Sequence, residues 1–146
     1  MTATHHVSLT SALDPVVLYR ILRLRVDVFV VEQRAAYAEL DGRDIEEHTL
    51  QFWTQDDDGE VLATVRLLHD GDDRRIGRVA TALSARGHGH AARLMRQAVD
   101  RSEGRTIRLD AQARLEPWYG RFGFVRSGAE FVEDDILHIP MTRPAD

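Results

Sequence analysis

The segment with the clearest chemical potential is Arg86-Gly87-His88-Gly89-His90-Ala91-Ala92. Its two closely spaced glycines let backbone N–H groups approach an anion with no side chain in the way. An amphipathic helix begins at the same place, so its unpaired N–H groups and the positive end of its dipole add to the attraction. Together these features could hold a phosphate or pyrophosphate; a glycine-rich turn that merely enters a helix has the same local sequence. The Lys-Ser/Thr pair of a P-loop is absent, as are the third glycine and supporting first unit of a dinucleotide fingerprint. A second candidate is the aromatic run Trp118-Tyr119-Gly120-Arg121-Phe122-Gly123-Phe124. Clustered aromatics usually pack a core, and a tyrosine among them usually has a buried ring. His5, His6, His69, His88 and His90 show no metal-ligand spacing, so no metal is expected.

The elements that must position these residues can be read from periodicity. A short strand is expected over His6–Leu9, and Asp14-Pro15 reads as N-cap and first helical residue. Val17, Ile21, Leu24, Val28 and Val31 recur at helical spacing, with Arg20, Arg23 and Asp27 on a more polar face, and the helix fades near Gln33. Arg34 to Glu47 reads as a loop. Strands are expected over Leu50–Thr54, Val61–Leu68 and Arg75–Thr81, the second with Val61, Ala63, Val65 and Leu67 alternating on one face. Asp56-Asp57-Asp58-Gly59 and Asp70-Gly71-Asp72-Asp73 read as the turns between them. A helix from Gly89 to Glu103 carries the apolar stripe Ala91, Leu94, Met95, Ala98 and Val99, and Gly104 ends it. Thr106–Ala111 is a further strand, Leu115–Arg121 a short helix, and Phe122–Arg126 and Asp135–Met141 the last strands. This mixing predicts an α+β (mixed α/β) fold with a central, mostly antiparallel, twisted sheet of about six to seven strands flanked by helices.

The chain's 146 residues suit a single domain, 1–146, large enough to bury a core without staples. It has no cysteine, which removes disulfides, thiolate metal sites and a cysteine nucleophile. All 19 basic residues are arginine, so no lysine side chain is present to be modified. The net charge of −5 disfavours nucleic acid as a partner and suits a cationic one such as an amine. Met1 to Thr10 lacks the pattern of a secretory signal, and no stretch is apolar for long enough to span a membrane. A cytoplasmic location is the expectation.

Strand, then Arg-Gly-x-Gly-x-Ala, then helix resembles the coenzyme A signature of GNAT N-acetyltransferases. The resemblance implies that the amides of Gly87 to Ala92, with Arg86, bind the pyrophosphate of acetyl-CoA. It implies that Val79, Ala80 and Thr81 meet the pantetheine arm and thioester through backbone, in a sheet splayed between residues 75–81 and 106–111. Tyr119, within a motif similar to the family's Tyr-x-x-x-Gly-Phe, would lie near the thioester sulfur and protonate the departing thiolate, since the ordinary pKa values of phenol and thiol are similar. Residues 22–33, running into Tyr37-Ala38-Glu39-Leu40-Asp41-Gly42-Arg43-Asp44, closely resemble the ElaA-like branch of the family. So do Leu109–Ala113 and Phe131–Ile139, and the likeness covers nearly the whole chain. The chain departs from the branch at Ala35-Ala36, where Cys-Pro is frequent, and at Asp135-Ile136-Leu137-His138, where Gly-Ile-Pro-His is frequent.

By this resemblance the first helix and the following loop line the acceptor side. Gln33, Tyr37, Glu39, Asp41 and Asp44 become substrate-binding candidates, and Glu32 and His138 candidates for the general base. A run of acidic loop residues is equally well a solvated surface. The expected reaction is direct attack of a primary amine on acetyl-CoA in a ternary complex, by a monomer or homodimer with no nucleic-acid or membrane partner. The competing reading is a non-catalytic acyl-CoA-binding module with a regulatory or protein-interaction role.

Overall fold

The computed structural model describes residues 2–146; Met1, the first residue of the expected 1–146 domain, lies outside them. Strand β1 (Thr4–Leu9) leads through a helical turn to α1 (Pro15–Val26), whose N-cap Asp14 accepts a 2.8 Å hydrogen bond from the Val16 amide. Three antiparallel strands follow: β2 (Leu50–Gln55), β3 (Val61–Asp70) and β4 (Asp73–Thr81). Helix α2 (His90–Asp100) crosses to β5 (Ile107–Gln112), then α3 (Glu116–Gly120) precedes β6 (Val125–Arg126), β7 (Phe131–Glu133) and β8 (Ile136–Arg143). One eight-stranded sheet results, ordered β1-β2-β3-β4-β5-β8-β6, with β7 also on β8. Among the described residues no helix is long and apolar enough to cross a membrane.

The sheet is antiparallel except at its middle. There β4 and β5 pair in parallel at Arg74↔Ile107 and Arg75↔Arg108, and beyond those positions they diverge. The expected splay between residues 75–81 and 106–111 is therefore present.

Both faces of the sheet carry core. On one, Leu94, Met95 and Ala98 of α2 pack on Phe52, Val65, Leu67 and Ile107. On the other, Ile21 and Leu24 of α1, with Val28 beyond it, pack on Trp53 and Ala80. Burying each large aliphatic side chain contributes about 1.5–3 kcal/mol, which makes these two helices the anchors of the sheet. Strand β3 is consequently buried along both faces from Val61 to Leu68, rather than along the one face that alternation predicts.

Other expectations need correction. Residues Asp27–Glu32 continue α1 as a wider π-helical turn. The wider pitch rotates the stripe, so Val28 stays buried while Val31 is 65% exposed. Helix α2 ends at Asp100, before the expected Glu103, and Gly104 belongs to a later turn. Phe122 to Phe124 are turn and coil after α3, which leaves β6 only two residues long. Strand β7 lies outside the expected elements. It forms a hairpin with β8 through Asp134 (φ 52°) and Asp135 (φ 62°), a turn that twists in the sense the strands need.

Candidate active site

The cleft arises from an irregularity in β4. Thr64 pairs with Ala80 and Arg66 with Gly77, so Val65 alone faces Arg78 and Val79. This is a β-bulge, and Arg78 takes its strained position at φ 52°. The bulge bends β4 away from β5 and opens a cavity of about 780 Å³ between the two arms of the sheet. Val79, Ala80 and Thr81 line one wall and Leu109 and Gln112 the other, with Trp118, Tyr119 and His138 also in the lining.

One part of the cleft is the glycine loop. Gly87 (φ 84°) and Gly89 (φ 75°) both occupy the left-handed region, and a Cβ on either would stand in open space. Gly89 is the N-cap of α2 and brings no side-chain cap, so the first-turn N–H groups of the helix stay available. Gly87, Gly89, His90, Ala91 and Ala92 all line the cleft, whereas His88 does not. An uncapped helix start approached without steric hindrance fits a pyrophosphate. Arg86 lines the same end, its Nε donating to the Thr81 carbonyl at 3.1 Å and its Nη2 to Glu32 at 2.8 Å.

That contact bears on Glu32. The hydrogen bond from Arg86 holds the Glu32 carboxyl below the usual range. A general base works best with a pKa near the working pH, so Glu32 is poorly suited to that role and well suited to fixing Arg86.

Tyr119 is buried in α3, edge-on to Trp118 at 4.9 Å and to Phe124 at 6.4 Å. Its hydroxyl has no hydrogen-bond partner among the described residues, and the residue lines the cleft. Burial pushes the phenol well above its ordinary value, against the opposing charge of Arg114. The hydroxyl therefore stays protonated, and full proton transfer to a thiolate is less favourable than an unshifted phenol implies.

His138 lies on β8, its ring stacked on Phe131 at 5.5 Å. Its Nδ1 is 2.8 Å from the Ile136 carbonyl, which can only accept, so Nδ1 carries a proton and, in the neutral ring, the lone pair is on Nε2. His138 is the register partner of Gln112 across the β5–β8 pair.

The acceptor-side candidates separate into two groups. Gln33, Tyr37 and Asp41 line the cleft. Glu39 and Asp44 do not; they lie behind the wall, 4% and 8% exposed, bound to the fully buried Arg25 at 2.5 and 2.7 Å. Arg66 and Arg78 extend the network to Asp41, and Arg78 also bonds Glu39 and covers the Tyr37 ring at 5.6 Å. The Tyr37 hydroxyl donates to Glu39. Burial opposes ionisation of Asp44, yet the hydrogen bond and charge of Arg25 hold its carboxyl low. Glu39 and Asp44 are thus corrected from substrate candidates to counterions of Arg25. The sequence did carry a signal for this: Arg25 falls at i+4 from Ile21 and i−3 from Val28, on the apolar side of its helix, where an arginine needs a buried partner. Gln112, Arg114 and Glu133 also line the cleft and were not among the sequence candidates.

A family model described as an acetyltransferase (GNAT) domain matches residues 23–144. A UPF0039 protein of Mycobacterium tuberculosis (strain H37Rv) is 49% identical over 136 residues, covering 90% of this chain and 87% of its own. Among solved structures, an acyl-CoA N-acyltransferase from Pseudomonas aeruginosa superposes with a TM-score of 0.91 at 38% identity, covering 97% of this chain and 99% of its own. Escherichia coli ElaA superposes with a TM-score of 0.90 at 31% identity, with the same coverage.

Proposed function

The chain belongs to the GNAT acetyltransferase family, and we propose that within it the protein moves an acetyl group from acetyl-CoA to a primary amine by direct attack in a ternary complex. Its membership makes it an acyltransferase with an acyl-CoA donor. The single observation that carries the finer reading is the bulged cleft, which joins an uncapped helix start to Tyr119 and His138 in one cavity.

The donor supplies an activated thioester. Gly87 to Ala92 hold its pyrophosphate through backbone N–H groups, and Glu32 keeps Arg86 extended toward the same end. Val79, Ala80 and Thr81 present backbone along the splayed strand, where an N–H can stabilise the developing oxyanion. His138 accepts the amine proton at Nε2, directly or through water. Tyr119 donates a hydrogen bond to the departing sulfur, a role that its raised pKa favours over complete proton transfer. The chain has no cysteine to form a thioester intermediate, which supports direct attack.

Release of free thiol from acetyl-CoA against a panel of amines tests the reading. The assay has no protein thiol background and no lysine side chain to consume donor. Tyr119→Phe should lower kcat about 10- to 100-fold with KM for acetyl-CoA nearly unchanged. Initial rates with both substrates varied should give intersecting lines. Parallel lines, or saturable coenzyme A binding with no release for any amine, would overturn direct transfer.

A further inference from the structure

Besides the 3.5 Å contact of Arg75 with Asp110, a pair of side-chain amides joins the two sides of the cleft. Gln33, just past the π turn after α1, and Gln112, at the end of β5, exchange amide hydrogen bonds. The Gln33 Nε2 donates to Gln112 Oε1 at 3.4 Å, and the Gln112 Nε2 donates to Gln33 Oε1 at 3.1 Å. Arg114, on the helical turn after β5, donates through Nη1 to the same Gln112 Oε1. Because a guanidinium can only donate, it fixes which end of the Gln112 amide faces it, and Gln112 then fixes Gln33. Both amide oxygens are occupied in this chain. What remains is chiefly donor capacity: one further N–H on each amide and the rest of the Arg114 fork, against a single spare lone pair on Gln33 Oε1.

The charges around the cleft sharpen this. Arg43, Arg66, Arg75, Arg78 and Arg86 line it, and each is engaged by a carboxylate. Arg114 and Arg121 line it with no ion pair among the described residues. Of these two, Arg114 bonds the amide pair, while Arg121 follows the C-terminal end of α3. Across β5–β8, His138 is paired with Gln112, so their side chains start about 5 Å apart. Glu133 and Asp134, on the hairpin that carries His138, also line the cleft and add the charge that attracts an ammonium.

We propose that Gln33, Gln112 and Arg114 form a carboxylate-recognition subsite for the acceptor, and that the acceptor is a free α-amino acid or a closely similar amine whose carboxylate lies a few bonds from the reacting nitrogen. The inference rests on the amine-transfer reading and names its substrate class. The carboxylate meets unspent donors and an unpaired guanidinium, while the amine meets the free Nε2 of His138. Asp41 and Tyr37 stay tied to Arg66, Arg78 and Glu39 and serve as wall.

The test sets α-amino acids against their own α-carboxamides, with acetyl-CoA turnover and calorimetric binding in the presence of coenzyme A as separate readouts. Wild-type protein should prefer at least one free acid over its amide by about 10- to 100-fold in kcat/KM, through the acceptor KM. Arg114→Gln should abolish that preference while leaving the KM for acetyl-CoA and the melting temperature unchanged. Gln112→Glu keeps a partner for Arg114 and should turn the preference toward the amide. Equal use of acid and amide, or a preference unaltered in Arg114→Gln, would overturn the subsite and leave amine transfer standing. Acid-selective binding without turnover, lost in Arg114→Gln, would support the subsite and overturn amine transfer. Neither binding nor turnover with any acid would overturn the subsite.

Discussion

Arg25 shows how one side chain decides the character of several others. Its guanidinium is fully buried and gives hydrogen bonds to Glu39 and Asp44, at 2.5 Å and at 2.7 and 3.1 Å. Gln51 adds a 2.9 Å bond to Asp44, and Arg78 a 3.0 Å bond to Glu39. Removing the cation leaves two carboxylates with partial compensation in a site closed to water. Arg25→Met should therefore cost about 3–5 kcal/mol, the usual consequence of breaking a buried pair from one side. Urea unfolding would measure it, and a loss under about 1 kcal/mol would mean that Arg66 and Arg78 suffice as counterions. Since the network stands behind Tyr37 and the β4 bulge, the folded fraction of the variant should also bind its acceptor less well. His138 belongs to the same scale with the opposite balance. Its ring is placed by one backbone carbonyl and one stacked phenyl, so His138→Gln should fold normally and lose about 10²- to 10⁴-fold in kcat. Retained turnover would return the base role to water alone.

At the scale of elements, the start of α2 and the bulge of β4 make the cleft. Gly89 sits at φ 75° as N-cap, a conformation that costs an L-residue about 1–2 kcal/mol. Gly89→Ala meets no neighbouring atom, so its effect should be conformational: a loss of about that size in stability, together with a raised KM for acetyl-CoA and little change in acceptor KM. An unchanged KM for acetyl-CoA would remove this turn from the donor site. The turn was legible because glycine spacing and helical periodicity are local properties of the chain. The splay of β4 from β5 came from family resemblance, although Gly77, isolated within Arg75–Thr81 and flanking the bulge, is the kind of residue that marks one. Arg78 holds a left-handed backbone that its side chain does not favour, and its bonds to Glu39 and Asp41 accompany that strain. The π turn at Asp27–Glu32 carries no comparable mark. Val31 continues the 3.6-residue count perfectly well, and only tertiary packing makes it the wrong count. Strand β7 went unseen because Phe131-Val132-Glu133 is three residues long and its turn uses two aspartates instead of glycine. Glu39 and Asp44 read as open-loop acids because their burial depends on an arginine 14 and 19 positions away.

For the whole molecule, the perturbed groups combine into an acid-labile fold. Burial lowers His5, His69 and His90 below their ordinary 6.5, helped by neighbouring cations. A histidine with a depressed folded pKa binds more protons when unfolded, so its stabilising effect is complete above pH 6.5 and falls as pH drops through that value. The carboxylates act lower down. Burial alone would raise Asp41, but Arg66, the Arg43 amide and Arg78 bring it from 3.8 to about 2. Asp44 and Asp70 are lowered by Arg25 and Arg43 respectively. Their contribution is present above the unfolded pKa of 3.8 and is lost as pH falls toward 2. Net charge pulls the other way between pH 7 and the isoelectric point near 5.8, because self-repulsion shrinks there. The charged groups are largely exposed and screened at physiological salt, whereas the shifts arise at fixed contacts, so proton linkage should win. Urea midpoints should accordingly fall modestly from pH 8 to pH 5 and steeply from pH 4 to pH 2.5. Asp41→Asn should flatten the steep limb, and His5→Gln with His90→Gln the shallow one. A midpoint at pH 5 equal to or above that at pH 8 would mean that relief of net charge, rather than the half-buried histidines, governs the stability of this fold near neutrality.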